Sequence, residues 1–223
     1  MPKELPLGNV ASMGETDPIK DLGLDLGVEQ RAKLLDFSKA LLHWNKRTNL
    51  ISKSDEGRVF SRHIIDSLSA TSFLVGNSIV DIGSGAGLPG LPLAIASPQK
   101  KFTLYERMKK RAHFMRFVIA NLGIGNAKVV QAPFEEIVSK GEGFNCVVSR
   151  GVKGAEALWP IVERAITRTG RLIVYASTHS FEEELTSKSV GKIHEGGPHI
   201  SSSAVEIPGL NKSHWFHIID KER

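Results

Sequence analysis

The sequence predicts an α/β protein built on a mostly parallel, doubly wound sheet, with a helical extension at its N-terminus. Three observations predict this fold class. From residue 79 onward short β-rich runs alternate with helical patterns, a glycine-rich turn follows the first β-rich run, and an amphipathic helical segment precedes it. Because parallel strands are joined by crossovers that are usually helical, the alternation indicates one parallel sheet covered on both faces.

The segment before the sheet divides into two parts. Residues 1–25 are polar and interrupted by glycine and proline, so we expect a flexible lead-in there. Residues 26–75 are expected to form the helical extension. Within it, apolar residues recur every three or four positions over 28–44, which indicates an amphipathic helix, and a second helix is expected over 58–73.

The remainder, residues 76–223, is expected to form the sheet domain. Apolar and β-branched runs predict strands at 79–82, 101–105, 127–131, 144–149 and 171–175, and late strands at 205–207 and 215–219. Helical patterns predict crossovers at 91–96, 109–122, 134–139 and 155–167. The segment 194–203, rich in Gly, Ser and His, is expected to be a loop.

Composition limits the class of protein. The 223 residues, of which 41% are hydrophobic and 24% charged, suffice for one domain with a buried core. No apolar run approaches the roughly 20 residues of a membrane span, the N-terminus shows no apolar signal segment, and a single cysteine, Cys146, excludes a disulfide framework and a cysteine-rich zinc site. We therefore expect a cytoplasmic monomer with no metal and no membrane partner.

The charge of the chain is basic and unevenly distributed. Lys and Arg number 29 against 24 Asp and Glu, a formal net charge of +5. Basic residues concentrate in two stretches, 46–63 and 100–116, and the second of these contains one acidic residue. Such clusters favour a polyanionic partner such as a nucleic acid, although solvated helix faces explain them equally well.

A glycine-rich loop at the end of the first predicted strand is the strongest local motif. It reads Asp81-Ile82-Gly83-Ser84-Gly85-Ala86-Gly87-Leu88-Pro89-Gly90. Glycines at such a turn let the backbone approach a ligand where a Cβ would collide. The last six residues match the dinucleotide fingerprint G-x-G-x-x-G, but Asp81 would repel a pyrophosphate and attract the cationic groups of S-adenosylmethionine. The loop resembles the cofactor-binding loop of class I methyltransferases. The alternative interpretation is that the glycines serve only to reverse the direction of the chain.

Further candidates for the cofactor site lie at the ends of the following strands. Glu106 ends the second strand, where a carboxylate can accept hydrogen bonds from both ribose hydroxyls. Phe134 and Glu135 follow the third strand, where Phe134 could cover the adenine and Glu135 could accept a hydrogen bond from its amino group. The alternative for Phe134 is a place in the hydrophobic core. Arg150 closes the fourth strand, at the rim where methyl donor and acceptor would meet, with a surface salt bridge as its alternative.

The residues also limit which kind of atom can accept the methyl group. Methylation of pyrimidine C5 needs a cysteine nucleophile, whereas Cys146 lies inside a predicted buried strand. Methylation of exocyclic amines usually shows a Pro-Pro-aromatic turn, and the sequence contains no Pro-Pro. An aromatic nitrogen such as guanine N7 carries its own lone pair and needs alignment without a general base. We therefore assign no catalytic residue, with Arg150 as the nearest candidate.

Taken together, the motifs resemble the RsmG (GidB) family of small-subunit ribosomal RNA guanine-N7 methyltransferases over about residues 30–175. The resemblance rests on L-H-W-N-K at 42–46, T-N-L-I-S at 48–52, R-H-I-I-D-S-L at 62–68, the glycine loop through 93, K-K-R-A-H-F at 109–114 and the run 144–150. It implies a Rossmann-like methyltransferase fold and methyl transfer from S-adenosylmethionine to a 16S ribosomal RNA guanine, guanosine-527 of the 530 loop. The substrate would be the free RNA or a small-subunit assembly particle.

The resemblance also assigns site residues. It implies cofactor contacts at Gly83, Leu88, Phe134, Glu135 and Arg150, with Glu106 at the ribose. It implies that two groups of basic residues face the RNA. These are Arg62 with His63, and Arg107, Lys109, Lys110 and Arg111.

The sequence departs from the family pattern at two places near the expected substrate mouth. Tyr175 to Thr178 stands where the family usually carries a lysine followed by glycine, and Ser213-His214 stands where it carries an arginine. The alternatives are therefore a diverged member that acts on another RNA, or a non-catalytic RNA-binding module. A third alternative is a nicotinamide-dependent oxidoreductase, which only the G-x-G-x-x-G match supports.

Overall fold

The computed structural model describes residues 17–140, 143–176, 198–210 and 212–222, and over these ranges seven strands form a single sheet. In chain order the strands are β1 (Ser78–Ile82), β2 (Lys101–Tyr105), β3 (Ala127–Val130), β4 (Phe144–Arg150), β5 (Ile166–Ala176), β6 (His199–Ile207) and β7 (Lys212–Asp220). Their order across the sheet is β3-β2-β1-β4-β5-β7-β6. The first five are parallel, and β7 pairs antiparallel with both β5 and β6.

Helices and short helical turns connect and cover the strands. The α-helices are α1 (Pro18–Asp21), α2 (Val28–Thr48), α3 (Asp66–Leu68), α4 (Gly90–Ala96), α5 (Lys109–Leu122) and α6 (Ala155–Val162). Between α2 and β1 the chain forms 3₁₀ turns at Lys53–Arg58 and Thr71–Phe73 and a π-helical turn at Phe60–Ile65, and further 3₁₀ turns span Phe134–Lys140 and Glu163–Ala165. Within the described ranges no helix is both long and apolar enough to cross a membrane.

The hydrophobic core lies on both faces of the sheet because successive residues of each central strand point to opposite sides. In β4, Val148 packs with the layer formed by α2, α3, α4 and α5, whereas Val147 packs with the layer that contains α6. Both valines are fully buried. This two-sided burial explains the uninterrupted apolar run at 146–148 of β4, as expected for a parallel sheet covered by helices.

Strand register brings the functional loops to one edge of the sheet. Ile82 pairs with both Tyr105 of β2 and Ser149 of β4, so the three strands end at the same level. Arg150 in turn pairs with Tyr175 of β5. The strand order reverses between β1 and β4, and in open α/β sheets ligands bind at this switch point, outside the carboxyl ends of the strands.

The predicted α/β fold with its mostly parallel sheet is confirmed, and several element boundaries differ from the prediction. The helix expected over 155–167 ends at Val162, because the β-branched residues after it join β5 from Ile166. The segment 199–203, expected to be a loop, is a strand because it hydrogen-bonds to β7 along its length. Pairing with a neighbour here overrides the weak strand propensity of serine.

The N-terminal region also differs in detail from the expectation. Residues 1–16 lie outside the described part of the chain, but the next residues, expected to be part of a flexible lead-in, form α1, in which Ile19 is buried in the core. The amphipathic helix expected over 28–44 is present and runs to Thr48. The helix expected over 58–73 is instead a series of short 3₁₀, π and α turns.

Candidate functional site

The glycine loop leaves β1 in a conformation that only glycine adopts without strain. Gly83, Gly85 and Gly87 have φ angles of 67°, 56° and 82°. The Ser84 amide donates to the carbonyl of Tyr105 on the neighbouring strand at 3.0 Å. The loop is therefore fixed to the sheet edge before any ligand binds.

The three glycines serve different purposes. A Cβ on Gly83 would lie 2.4 Å from Val152 Cγ2, and one on Gly87 would lie 2.5 Å from Leu91 Cδ1. These two glycines permit close packing within the protein. A Cβ on Gly85 would meet nothing nearer than the Gly83 carbonyl at 3.8 Å, so Gly85 borders open space. Among the three, Gly85 is the glycine whose missing side chain leaves room for a ligand.

Asp81 supports the loop from behind rather than from within the open cleft. Its side chain is fully buried, and its Oδ2 accepts a hydrogen bond of 2.9 Å from the Gly90 amide at the start of α4. Its Oδ1 has no hydrogen-bond partner among the described residues. Burial raises the pKa of Asp81 to about 7, an effect that the Gly90 amide only partly offsets. The carboxyl is therefore not open to a ligand and supports the glycine loop from within the protein.

Glu106 faces the glycine loop from the end of β2. Its Oε2 accepts from the Gly85 amide at 2.9 Å and its Oε1 accepts from the Met108 amide at 2.7 Å. The carboxylate is buried and therefore held in one orientation. Each oxygen can accept a further hydrogen bond, which fits the adjacent hydroxyls of a ribose.

The other predicted cofactor residues lie at the same sheet edge but in different surroundings. Leu88 is buried in the core and its amide donates to the Ser84 carbonyl, so it stabilises the loop. Phe134 is half-buried against the α6 layer, with Lys153 Nζ 5.9 Å from its ring centroid, and Glu135 beside it is exposed. The Glu106 carboxylate, the open space at Gly85 and the half-buried Phe134 ring suit the ribose and adenine of S-adenosylmethionine.

A second cluster lies at the adjacent strand end, around a cavity of about 300 Å³. The cavity is lined by Arg62, His63, Asp66, Arg150, Tyr175, Ala176 and His214. We call it the acceptor cavity. It lies between the helical extension, the ends of β4 and β5, and the start of β7, so residues far apart in the sequence meet in its wall.

Asp66 organises the acceptor cavity. Its Oδ2 accepts a hydrogen bond of 2.7 Å from Arg150 Nη1, and its Oδ1 contacts the Nδ1 of His214. Burial by itself raises the pKa of the Asp66 carboxyl, but His214 and Arg150 outweigh it and hold the pKa below its ordinary value. Arg150 therefore forms a partly buried ion pair with the buried Asp66, in place of the surface salt bridge considered from the sequence.

His63 is oriented by its neighbours within this cluster. Arg150 Nη2 lies 3.2 Å from His63 Nδ1, and since a guanidinium only donates, this nitrogen is the acceptor. The proton of the neutral ring is then on Nε2, 3.6 Å from Asp55 Oδ2. Asp55 also pairs with Arg62, whose Nε lies 2.8 Å from Oδ1. Both cavity arginines, Arg62 and Arg150, are thus neutralised by a carboxylate.

His63 gives the cluster a measurable dependence on pH. Burial, and then the nearby Arg150 guanidinium, lower its pKa from 6.5 to about 4. Because the unfolded chain takes up this proton near pH 6.5 and the folded chain only near pH 4, folding stability is lost as pH falls through that window. We expect the wild type to lose about 3 kcal/mol relative to His63→Asn between pH 7 and pH 4, in urea unfolding experiments. Equal losses in both proteins would contradict this assignment.

The two departures from the family pattern are built into the cavity wall. Tyr175 donates its hydroxyl hydrogen to the Ser67 carbonyl at 2.6 Å, and burial raises the pKa of that hydroxyl well above its ordinary value. His214 contacts Asp66 from the opposite side. Ser177 and Thr178 lie outside the described residues.

The remaining predicted RNA-binding residues lie along the start of α5. Arg107, Lys109 and Lys110 are exposed and form no ion pair within the described ranges. Arg111 is half-buried, and its Nη1 would lie 4.0 Å from a Cβ on Gly85. The basic start of α5 therefore borders the glycine loop, whereas Arg62 and His63 border the acceptor cavity.

Several residues of the site have no predicted role. These are Asp55, Asp66 and Val152, although Asp66 follows His63 at helical spacing, which places both on one face. Cys146 is buried within β4, and burial raises its pKa to about 12, which makes the thiol inert at neutral pH. Among the described residues, no group of three or more His, Cys, Asp or Glu side chains could hold a metal ion.

Comparison with known proteins identifies the family. Residues 30–205 match the family described as rRNA small subunit methyltransferase G. The chain is 41% identical over 202 residues to ribosomal RNA small subunit methyltransferase G of Shewanella loihica, covering 90% of this chain and 94% of that one. It is 35% identical over 173 residues to the protein of that name from Methylococcus capsulatus, covering 78% and 83%.

Solved structures agree on the fold. A methyltransferase from Geobacter sulfurreducens superposes with a TM-score of 0.54 at 13% identity, covering 92% of this chain and 93% of that chain. At such low identity the likeness concerns the arrangement of strands and helices alone. With the glycine loop, the carboxylates behind it and the family match over most of its length, the chain belongs to the rRNA small subunit methyltransferase G family.

Proposed function

We propose that the chain transfers a methyl group from S-adenosylmethionine to N7 of a guanine in 16S ribosomal RNA, guanosine-527 of the 530 loop in the family pattern. The observation that carries the proposal is the position of the acceptor cavity beside the glycine loop, at one edge of one sheet. Arg150, which lines the cavity, is the last residue of β4, the strand that pairs with β1, so the two sites lie at neighbouring strand ends.

The cofactor supplies an electrophilic methyl group when bound. Glu106 and Gly85 would hold its ribose and Phe134 and Glu135 its adenine, while Asp81 would support the loop from behind. Burial raises the pKa of the Asp81 carboxyl to about 7, and a cationic ligand at the adjoining loop would lower it.

The acceptor side suits a base that needs no deprotonation. Guanine N7 presents a lone pair on the same edge as the O6 acceptor, so alignment is what the protein must supply. The purine becomes cationic as it is methylated, and a cavity with free positive charge would oppose that change. In this cavity Arg62 and Arg150 are each paired with a carboxylate, which removes the opposition.

The proposal is tested by methyl transfer to ribosomal RNA. Small subunits and free 16S RNA from cells that lack this methylation are incubated with the protein and labelled S-adenosylmethionine. We expect incorporation of about one methyl group per RNA in one of the two substrates. RNA binding without transfer in either substrate would overturn the proposal in favour of a non-catalytic RNA-binding module.

A further inference from the structure

A groove of about 590 Å³ lies outside the acceptor cavity, between α2 and α5. The two helices run antiparallel, because Lys33 Nζ donates to the Gly123 carbonyl at one end and Trp44 contacts His113 at the other. The groove lies beside the C-terminal half of α2 and the middle of α5, where Phe117 lines it. We call it the α2–α5 groove.

The floor of the α2–α5 groove is aromatic. The Trp44 ring lies 5.3 Å from the Phe117 ring and 5.4 Å from the Phe114 ring, measured between centroids. Phe114 is buried beneath, while Phe117 is 40% exposed and Trp44 is half-buried. The Trp44 and Phe117 rings are fixed from below and inclined to each other at 45°, so a planar group can stack on one ring, of which Phe117 is the more exposed.

The walls of the groove are basic. Residues 37–54 and 107–133, which include its lining, contain no Asp or Glu. Lys39, His43 and Arg47 line the groove, and Arg47 forms no ion pair among the described residues. Lys39 is paired with Asp36, so the uncompensated charge of the lining is that of Arg47.

Helix α5 lies beside both the glycine loop and the α2–α5 groove. Arg111 reaches the glycine loop, and Phe117 lies six residues further along the same helix, about 9 Å at the rise of an α-helix. Six residues also turn the helix by about 240°, so Phe117 lies on a different face from Arg111, and an RNA strand reaches the groove by passing around α5.

We propose that the α2–α5 groove binds an unpaired nucleotide of the RNA substrate, outside the methylated guanine. Its base stacks on the exposed Phe117 ring beside Trp44, and its phosphate pairs with Arg47. Aromatic platforms within basic grooves bind single-stranded nucleic acid in this manner, at about 1–3 kcal/mol per stacked base. The inference rests on the proposed action on RNA, and it adds a contact that holds the RNA outside the reacting centre.

The test compares Arg47→Ala and Phe117→Ala with two matched variants. Leu35→Ala removes a similarly exposed apolar side chain from α2, and Arg164→Ala removes an exposed unpaired arginine from the turn before β5. We expect the groove variants to raise the KM for RNA about tenfold. The kcat at saturating RNA and the affinity for S-adenosylhomocysteine should stay within twofold of wild type, and the matched variants should change none of these.

Binding of a short oligouridylate separates this inference from the proposed function. We expect the wild type to bind the single strand more tightly than a duplex of equal length, and the groove variants to lose that preference. Unchanged binding and KM in both groove variants would overturn the inference while methyl transfer stands. If the groove variants lose binding of polyglutamate but keep binding of oligouridylate, the inference is overturned, because the groove then binds an acidic peptide. If the wild type transfers no methyl group but still prefers the single strand to the duplex, the proposed reaction is overturned and the inference about the groove stands.

Discussion

Gly85→Leu is expected to reduce the affinity for S-adenosylhomocysteine at least a hundredfold, measured by calorimetric titration. The reason is steric, because the space into which the new side chain projects is the open space that the cofactor would occupy. A hundredfold loss corresponds to about 2.8 kcal/mol, which displacement of a ligand from its loop readily exceeds. Methyl transfer should fall in parallel.

The control for this variant is Gly123→Leu. Gly123 has a φ of 60°, close to the 56° of Gly85, and a Cβ there would likewise meet no close neighbour. Both variants therefore carry the same backbone strain of about 1–2 kcal/mol. Since Gly123 ends α5 away from the glycine loop, its variant should bind the cofactor as the wild type does. Equal affinities for the two variants would show that Gly85 does not border the cofactor.

Asp66→Ala is expected to have the largest effect on stability, lowering the free energy of unfolding by about 3–5 kcal/mol. The aspartate is buried, and its removal leaves the Arg150 guanidinium in the cavity wall without its carboxylate. The contact to His214, which fixes the start of β7, is lost with it. Chemical unfolding at neutral pH measures the loss.

Asp36→Ala is the matched variant for Asp66→Ala. Asp36 also pairs with a basic side chain, Lys39 Nζ at 2.9 Å, but both partners of that pair are about half exposed or more. Exposed pairs contribute about 0–1 kcal/mol, so this variant should stay close to the wild type. Similar losses in the two variants would contradict the organising role of Asp66.

Local signals in the sequence were sufficient to predict the sheet and the loop. The strand at Lys101–Tyr105 and the helix at Lys109–Leu122 match their predicted bounds, because each is a strong period-2 or period-3.6 pattern with clear ends. The glycine loop lies at the predicted strand end because its glycines and the strand before it are adjacent in the chain.

The acceptor cavity could not be predicted in the same way, because its wall is assembled by tertiary contacts. Arg150 and Asp66 are 84 residues apart, and nothing local indicates that they pair. The continuous helix predicted over 58–73 is absent for a related reason. Their irregular geometry, including the π-helical turn that carries Arg62 and His63, is held by contacts such as that of Arg150 with His63.

The structure shows what the residues at the two departures from the family pattern contact. Tyr175 and His214 each hydrogen-bond or contact a residue of the helical extension, so they hold the cavity wall together.

The most direct test of the central claim is the position of the transferred methyl group. After incubation with S-adenosylmethionine, 16S ribosomal RNA is reduced with borohydride and treated with aniline, which breaks the strand at 7-methylguanine. We predict one new break, at a single guanine, that is absent when Gly85→Leu replaces the wild type. Labelled RNA that carries its methyl group but shows no new break would place the methyl on another atom and contradict the account.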